Sequence, residues 1–239
     1  MDNSIIKQHI SRQFNNEMED IRNKVLTMGG LVEQQVDLAT RAFMGYDMES
    51  AEKVIQQDHL VNNLEKDIDH ECTEIMAKRQ PAALDLRILI ATIKIITDLE
   101  RIGDEATRIA KMTMRLEGAD YYQDKYFEIE HLLDLVKDML NGALDAYARM
   151  DTEEVVAITG QDSKVDREYT AITRQLITQM MENPRNITRA LDMLWTARAL
   201  ERIGDHACNV CEQVIYMVKG KDVRHVSREE LEKTVNTGR

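Results

Sequence analysis

An all-helical fold, built from one three-helix module repeated in tandem, is predicted by three observations. Apolar residues recur at the helical spacing of ~3.6 along almost the whole chain. The pentapeptide Glu-Arg-Ile-Gly-Asp occurs twice, as Glu100–Asp104 and Glu201–Asp205, which marks an internal duplication. Aromatic residues are 5% of the chain and no alternating Val/Ile/Thr run lies between turn residues, so strands have no sequence signal.

The elements follow from this periodicity and its punctuation. Helices are expected over Ile5–Gly45, Met48–Arg79, Ala82–Leu116, Tyr126–Arg149, Asp151–Glu182 and Asn186–Val218. Turn residues separate them: Gly45-Tyr46-Asp47 after the first, Gln80-Pro81 after the second, Gly118-Ala119-Asp120 after the third, Asn183-Pro184 after the fifth and Gly220 after the sixth. A helix of about thirty residues is about 45 Å long. Three such helices per half, joined by short loops, make antiparallel neighbours in a bundle, giving a pseudo-twofold six-helix protein.

Other landmarks repeat with the pentapeptides. The only two prolines, Pro81 and Pro184, lie nineteen and seventeen residues before the first Glu of their respective pentapeptides. Upstream, Asp47, Asp58, Val61, Ile68 and Met76 match Asp151, Asp162, Val165, Ile172 and Met180 at a shift of 104 residues. The shift falls to 101 at the pentapeptide, so the two proline loops differ by three residues. A repeat of about a hundred residues exceeds the solenoid periods of ~20–50 and reads as one module copied once. Residues 1–120 and 121–221 are therefore read as the two halves, and residues 222–239 as a polar, loosely held tail.

Composition narrows the function classes. With 239 residues and 43% hydrophobic side chains the chain can bury a core. Its net charge of −12, with no Lys/Arg run, argues against nucleic acid. Residues 1–17 lack the apolar segment of a signal peptide. The longest apolar stretch, Ile88–Ile96, is broken by Lys94 and falls far short of the ~20 residues of a membrane span. A soluble, cytosolic protein without membrane insertion is expected. Cys72, Cys208 and Cys211 fit a reducing compartment. The Cys208/Cys211 CxxC lies in a helical pattern without a second Cys or His pair, and Thr107 and Ala110 stand at the equivalent places. It is therefore read as helix packing, outside the duplicated chemistry.

The pentapeptide is placed on its helix by angle. At about 100° per residue, with Leu99 at zero, Ile95, Ile102, Ala106, Ile109 and Ala110 fall on one core face. Glu100 and Asp104 lie on one flank, at about 100° and about 140°. Gly103 and Gly204 sit nearer the core, where a missing side chain lets a neighbouring helix approach. Glu100/Asp104 and Glu201/Asp205 are like charges at i and i+4, each unfavourable by ~0.2–0.5 kcal/mol, so something positive should compensate.

Two compensations are open. Arginine is one: Arg108 lies four residues beyond Asp104, and Arg198 three before Glu201. A metal ion is the other. On the preceding helix Asp58, Asn62, Glu65 and Asp69 occupy the matching flank, and Asp162 and Asp166 repeat the arrangement. Such flanks on antiparallel neighbours can converge on one groove. Carboxylates without a suitable His or Cys suit Mg, Mn, Ca or iron rather than zinc. His206 points to a different flank. No nucleophile with a partnered base and no GxxxxGK[ST] loop supports catalysis.

The duplicated module, the paired pentapeptides, the stretch Ala77-Lys-Arg-Gln-Pro-Ala-Ala-Leu-Asp-Leu-Arg87 and the opening His9-Ile-Ser-Arg-Gln-Phe-Asn15 resemble the PhoU family, regulators of bacterial phosphate uptake. The resemblance covers most of the chain. It implies a non-catalytic, cytosolic homodimer that restrains phosphate-starvation signalling between the phosphate ABC transporter, through its ATPase subunit, and the sensor histidine kinase. It also implies Fe, Mn or Mg on E/D-x-x-x-D segments. These map onto Glu100 and Asp104, Glu201 and Asp205, Asp162 and Asp166, and Asp58 with the weaker ligand Asn62. The competing readings are a helical carboxylate-bridged metal-dependent enzyme and a purely structural adaptor. Metal analysis of protein purified without chelator separates the adaptor from the others.

Overall fold

The computed structural model describes residues 3–115 and 127–236. Among these residues there are seven α-helices, one 3-10 turn and no strand. The helices are α1 (Asn3–Gly45), α2 (Met48–Arg79), α3 (Ala83–Arg115), α4 (Phe127–Arg149), α5 (Thr152–Glu182), α6 (Ile187–Lys219) and α7 (Arg228–Asn236). The expected turn at Gly118-Ala119-Asp120 and the helix ends at Leu116 and Tyr126 lie outside the described residues.

The duplication is visible in the local chemistry of the corners. Asp47 caps α2 by accepting from the Ser50 N–H at 3.1 Å, and Asp151 caps α5 by accepting from the Glu153 N–H at 2.8 Å. The residue before each cap, Tyr46 and Met150, turns the chain in the left-handed region, at φ 55° and 52°. The α2–α3 and α5–α6 corners differ. Gln80 ends α2 at φ 48°, whereas Asn183 ends α5 in extended backbone and leads Pro184 into the 3-10 turn. The three-residue difference between the repeats falls at this corner.

Helices α1, α2 and α3 pack on one another, as do α4, α5 and α6, and the most extensive contact among the described residues joins α3 to α6. Those two helices run antiparallel, with Asp98 opposite His206 and Glu105 opposite Arg202. Their apolar stripes supply Ile95, Leu99, Ile102, Ala106 and Ile109 from α3 and Leu200, Ile203, Ala207 and Val210 from α6, all buried in one continuous core. Being packed on several sides, α3 and α6 hold the pentapeptides at fixed positions.

Residues 222–236 of the tail are not loosely held. Gly220 ends α6 at φ 70°, and α7 then lies against α5 and α6, with Val223, Leu231 and Val235 buried. Leu231 and Val235 are an i, i+4 pair in an otherwise charged segment, so the apolar signal is real but only one turn long. Among the described residues no helix is long and apolar enough to cross a membrane.

Candidate functional site

Each half places its predicted residues along one groove between two antiparallel helices. In the first half α2 brings Asp58 and Asn62 to α3, where Glu100 and Asp104 stand. The Thr107 hydroxyl of α3 donates to Asp58 Oδ1 at 3.0 Å, and the Asn62 amide donates to Asp58 Oδ2 at 3.1 Å. In the second half α5 brings Asp162 and Asp166 to Glu201 and Asp205 of α6, and Cys208 stands beside Asp162. Thr107 and Cys208 are equivalent positions, as are Asp58 and Asp162, so the same two positions adjoin in both halves with different side chains. Cys208 therefore stands inside the duplicated arrangement, which its CxxC spacing does not reveal.

The pentapeptide glycines sit where the helices of each groove meet. A Cβ on Gly103 would lie 3.6 Å from Val61 Cγ1, and one on Gly204 would lie 3.6 Å from Val165 Cγ1. In the first half that Cβ would also come within 3.1 Å of Gln35 Oε1, a closer fit than any at Gly204.

The carboxyls crowd one another. Burial pushes Glu100 above the usual carboxylate range, reinforced by Asp104, Glu65 and Asp58. Glu65 is raised too, by burial and then by Asp69, with Asp104 adding. Glu65 thus supplies a fourth first-half carboxylate where Asn62 is neutral. In the second half burial raises Asp162, Glu201 and Asp205, and Asp166 adds to all three. Glu201 Oε2 and Asn62 Oδ1 are buried oxygens without a hydrogen-bond partner. Among the described residues no three His, Cys, Asp or Glu side chains are gathered tightly enough to share one ion. The donor set is nonetheless all oxygen, and two of its oxygens are unclaimed.

Among the described residues arginine pairs directly with a groove carboxylate in the second half only; in the first, Arg101 favours the ionised Glu100 and Glu65 without such a pair. Arg198 pairs with Glu201 and its guanidinium lies 5.7 Å from the Tyr169 ring centre. Arg108 does not serve Asp104. It turns to Glu105, 2.9 Å away, because Glu105 faces α6 and is already deeply buried.

That second flank of α3 carries polar contacts the angular reading left aside. Glu105 also accepts Arg202 of α6 at 3.0 Å, while Asp98 Oδ1 takes His206 Nδ1 at 2.8 Å and the Asn209 amide at 3.0 Å. His206 faces Asp98, away from the acidic groove. These pairs join the halves. They were detectable as Asp98 and Glu105, seven residues apart on one helix face, but their partners lie more than ninety residues away in sequence.

The geometry agrees with what comparison finds. The PhoU domain profile matches residues 25–113 and again residues 129–214, one match in each half. The chain is 48% identical over 221 residues to the "Phosphate-specific transport system accessory protein PhoU homolog" of Pseudomonas putida, covering 92% of this chain and 86% of the relative. It is 46% identical over 233 residues to the "Phosphate-specific transport system accessory protein PhoU" of Escherichia coli (strain K12), covering 98% and 96%. The crystal structure of PhoU from Pseudomonas aeruginosa superposes with a TM-score of 0.84 at 46% identity, covering 87% of this chain and all of that one. Two profile matches, similarity along nearly the full length and a shared fold agree: the chain belongs to the PhoU family.

Proposed function

We propose that the protein is an accessory protein of phosphate transport that holds the phosphate-starvation response off when phosphate is plentiful. The observation that carries this reading is the 46% identity across 98% of the chain to a protein named for that system. On this reading it acts as a cytoplasmic homodimer by contact, not catalysis. Its partners are the ATPase subunit of the phosphate ABC transporter and the phosphate-sensing histidine kinase.

The two acidic grooves are the proposed metal sites. Asp58, Asn62, Glu100 and Asp104 would have to draw closer than they stand here to hold one ion, and Asp162, Asp166, Glu201 and Asp205 likewise for another, with Glu65 beside the first. The unclaimed oxygens of Asn62 and Glu201 support this, and a bound Fe, Mn or Mg ion would neutralise carboxyls that burial and mutual repulsion disfavour. A carboxylate-bridged enzyme is the competing reading. It is less well supported, because such enzymes project Glu-x-x-His pairs into the bundle interior, whereas these carboxylates flank the core stripes.

Deleting the gene should raise phosphate-regulon reporter output in phosphate-rich medium, and the purified protein should associate with the ATPase subunit or the kinase. An unchanged reporter would sink the regulatory reading. Micromolar phosphate binding by the metal-free protein would count against a partner-relayed signal.

A further inference from the structure

The second half carries an apolar ridge that the fold does not require. Ile177 and Met181 at the end of α5, and Ile187, Leu191 and Trp195 at the start of α6, are all exposed, Met181 by 80% and Trp195 by 52%. On each helix these residues recur every fourth position, so each set forms one stripe. Taking Leu200 as zero, Leu191 lies at about 180°, opposite the core face. The duplication supplies the control. The first half has Thr73, Ala77, Leu86, Ile90 and Lys94 at the equivalent positions, and Lys94 lies over the Tyr216 ring at 5.4 Å. The same architecture thus forms with a small residue, a hydroxyl and a charge where the second half has Met181, Ile177 and Trp195.

The charge around the ridge also departs from the rest. Between residues 174 and 186 the sequence has Arg174 and Arg185 against Glu182 alone, in a chain of net charge −12. We infer that this ridge is a docking face for an amphipathic helix of a partner protein, one with apolar anchors on one side and Asp or Glu along its edge. Ile187 to Trp195 covers about 12 Å of helix, matching anchors at i, i+3/i+4 and i+7. The border arginines would meet the acidic edge and steer encounter. Two copies of this chain meeting ridge to ridge would set the same arginines against each other, so self-association fits less well. An anionic bilayer would attract the arginines but repel the remainder of so acidic a chain.

This deepens the partner-binding reading and rests on it. Trp195 is the chain's only tryptophan, so its emission reports on the ridge directly. The experiment titrates the full chain with a synthetic helix of about four turns bearing leucines on one face and glutamates on the other. Saturable blue-shifted emission is expected. Binding should weaken at least about tenfold when lysines replace the glutamates, and likewise in Leu191→Ala and in Arg185→Glu, both checked for helicity by circular dichroism. No shift, equal binding of the lysine peptide, or unchanged affinity in both variants would overturn the proposal. So would a shift produced by phosphatidylglycerol vesicles but not by the peptide, or by raising the protein concentration alone. The gene-deletion reporter is read separately. A failed titration with an intact reporter response rejects this face alone, whereas an unresponsive reporter rejects the regulatory reading.

Discussion

The two acidic grooves share a plan and differ in what stands beside the carboxylates. In the second half Arg198 pairs with Glu201, and Tyr169 flanks the guanidinium. In the first half the equivalent positions are Thr97 and Glu65, so an arginine and an aromatic ring are replaced by a hydroxyl and another carboxylate. Each groove thus has four carboxylates: Asp58, Glu65, Glu100 and Asp104 in one, Asp162, Asp166, Glu201 and Asp205 in the other. The second meets part of its charge internally. The first has Arg108 within its sequence reach but loses it to Glu105. One compensation scheme therefore does not describe both: Arg101 lowers Glu100 and Glu65 without pairing with them, so among the described residues no direct ion pair competes with a cation in the first groove.

The sharpest test removes the carboxylates half by half. Glu100→Gln with Asp104→Asn should abolish the tighter class of Mn binding sites in calorimetry, at least about a hundredfold loss, because two anionic ligands are removed together. Glu201→Gln with Asp205→Asn should remove only the weaker class. Both proteins should stay helical, since the flanks lie off the core stripe. If each double variant binds metal like the parent, neither groove is a metal site and the comparison reduces to ion pairing.

A subtler change should make the grooves alike. Arg198→Gln frees Glu201 from a partly exposed ion pair of about 1 kcal/mol, which corresponds to roughly a fivefold gain in Mn affinity. The first groove should be unaffected. A loss of affinity would mean that Arg198 orients Glu201 toward the ion instead of competing with it.

Acidity separates the metal-free protein from the loaded one. Glu65, Glu100, Asp162, Glu201 and Asp205 titrate above their ordinary values because of burial first and neighbouring carboxylates second. Glu212, near Asp222 and Arg224, is pushed by burial to about 7. A carboxyl raised in the fold contributes stability that is present below its unfolded-state pKa and lost as pH rises through its folded value. The melting temperature of metal-free protein should therefore rise by a few degrees as pH is lowered from about 8 to about 6 through Glu212, and further toward acid through the raised groove carboxyls. Saturating Mn favours the ionised carboxylates and should flatten the groove's share of that slope. Identical slopes with and without Mn would place the titration at Glu212 alone.

Much of this was legible in the chain. The helical period, the two prolines and the paired pentapeptides specify six helices nearly to the residue, because those signals are local. The angular reading put Glu100 and Asp104 on the flank facing α2, and put His206 elsewhere. What escaped were choices between neighbours. Arg108 can reach Asp104 or Glu105, and only the burial of Glu105 against α6 decides. Cys208 reads as half of a CxxC until Asp162 is seen beside it. The seventh helix rests on two apolar residues amid charges, too short a period to distinguish from a solvated tail.

The smallest expected effect probes how closely the grooves are built. Gly103 and Gly204 occupy matching places, and in an exposed helix Gly→Ala would gain about 1 kcal/mol. At Gly204 a new Cβ meets Val165 and Met139 at 3.6 Å and beyond, ordinary contact, so Gly204→Ala should keep most of that gain and raise the melting temperature slightly. At Gly103 the Cβ would press on Gln35 Oε1 at 3.1 Å, and this buried oxygen has no hydrogen-bond partner to anchor it. Gln35 must shift within a packed core, so Gly103→Ala should be neutral or mildly destabilising. Thermal melts of the two single variants compare them directly. Equal stabilisation would mean that Gln35 yields freely, and that the first groove is no more closely packed than the second.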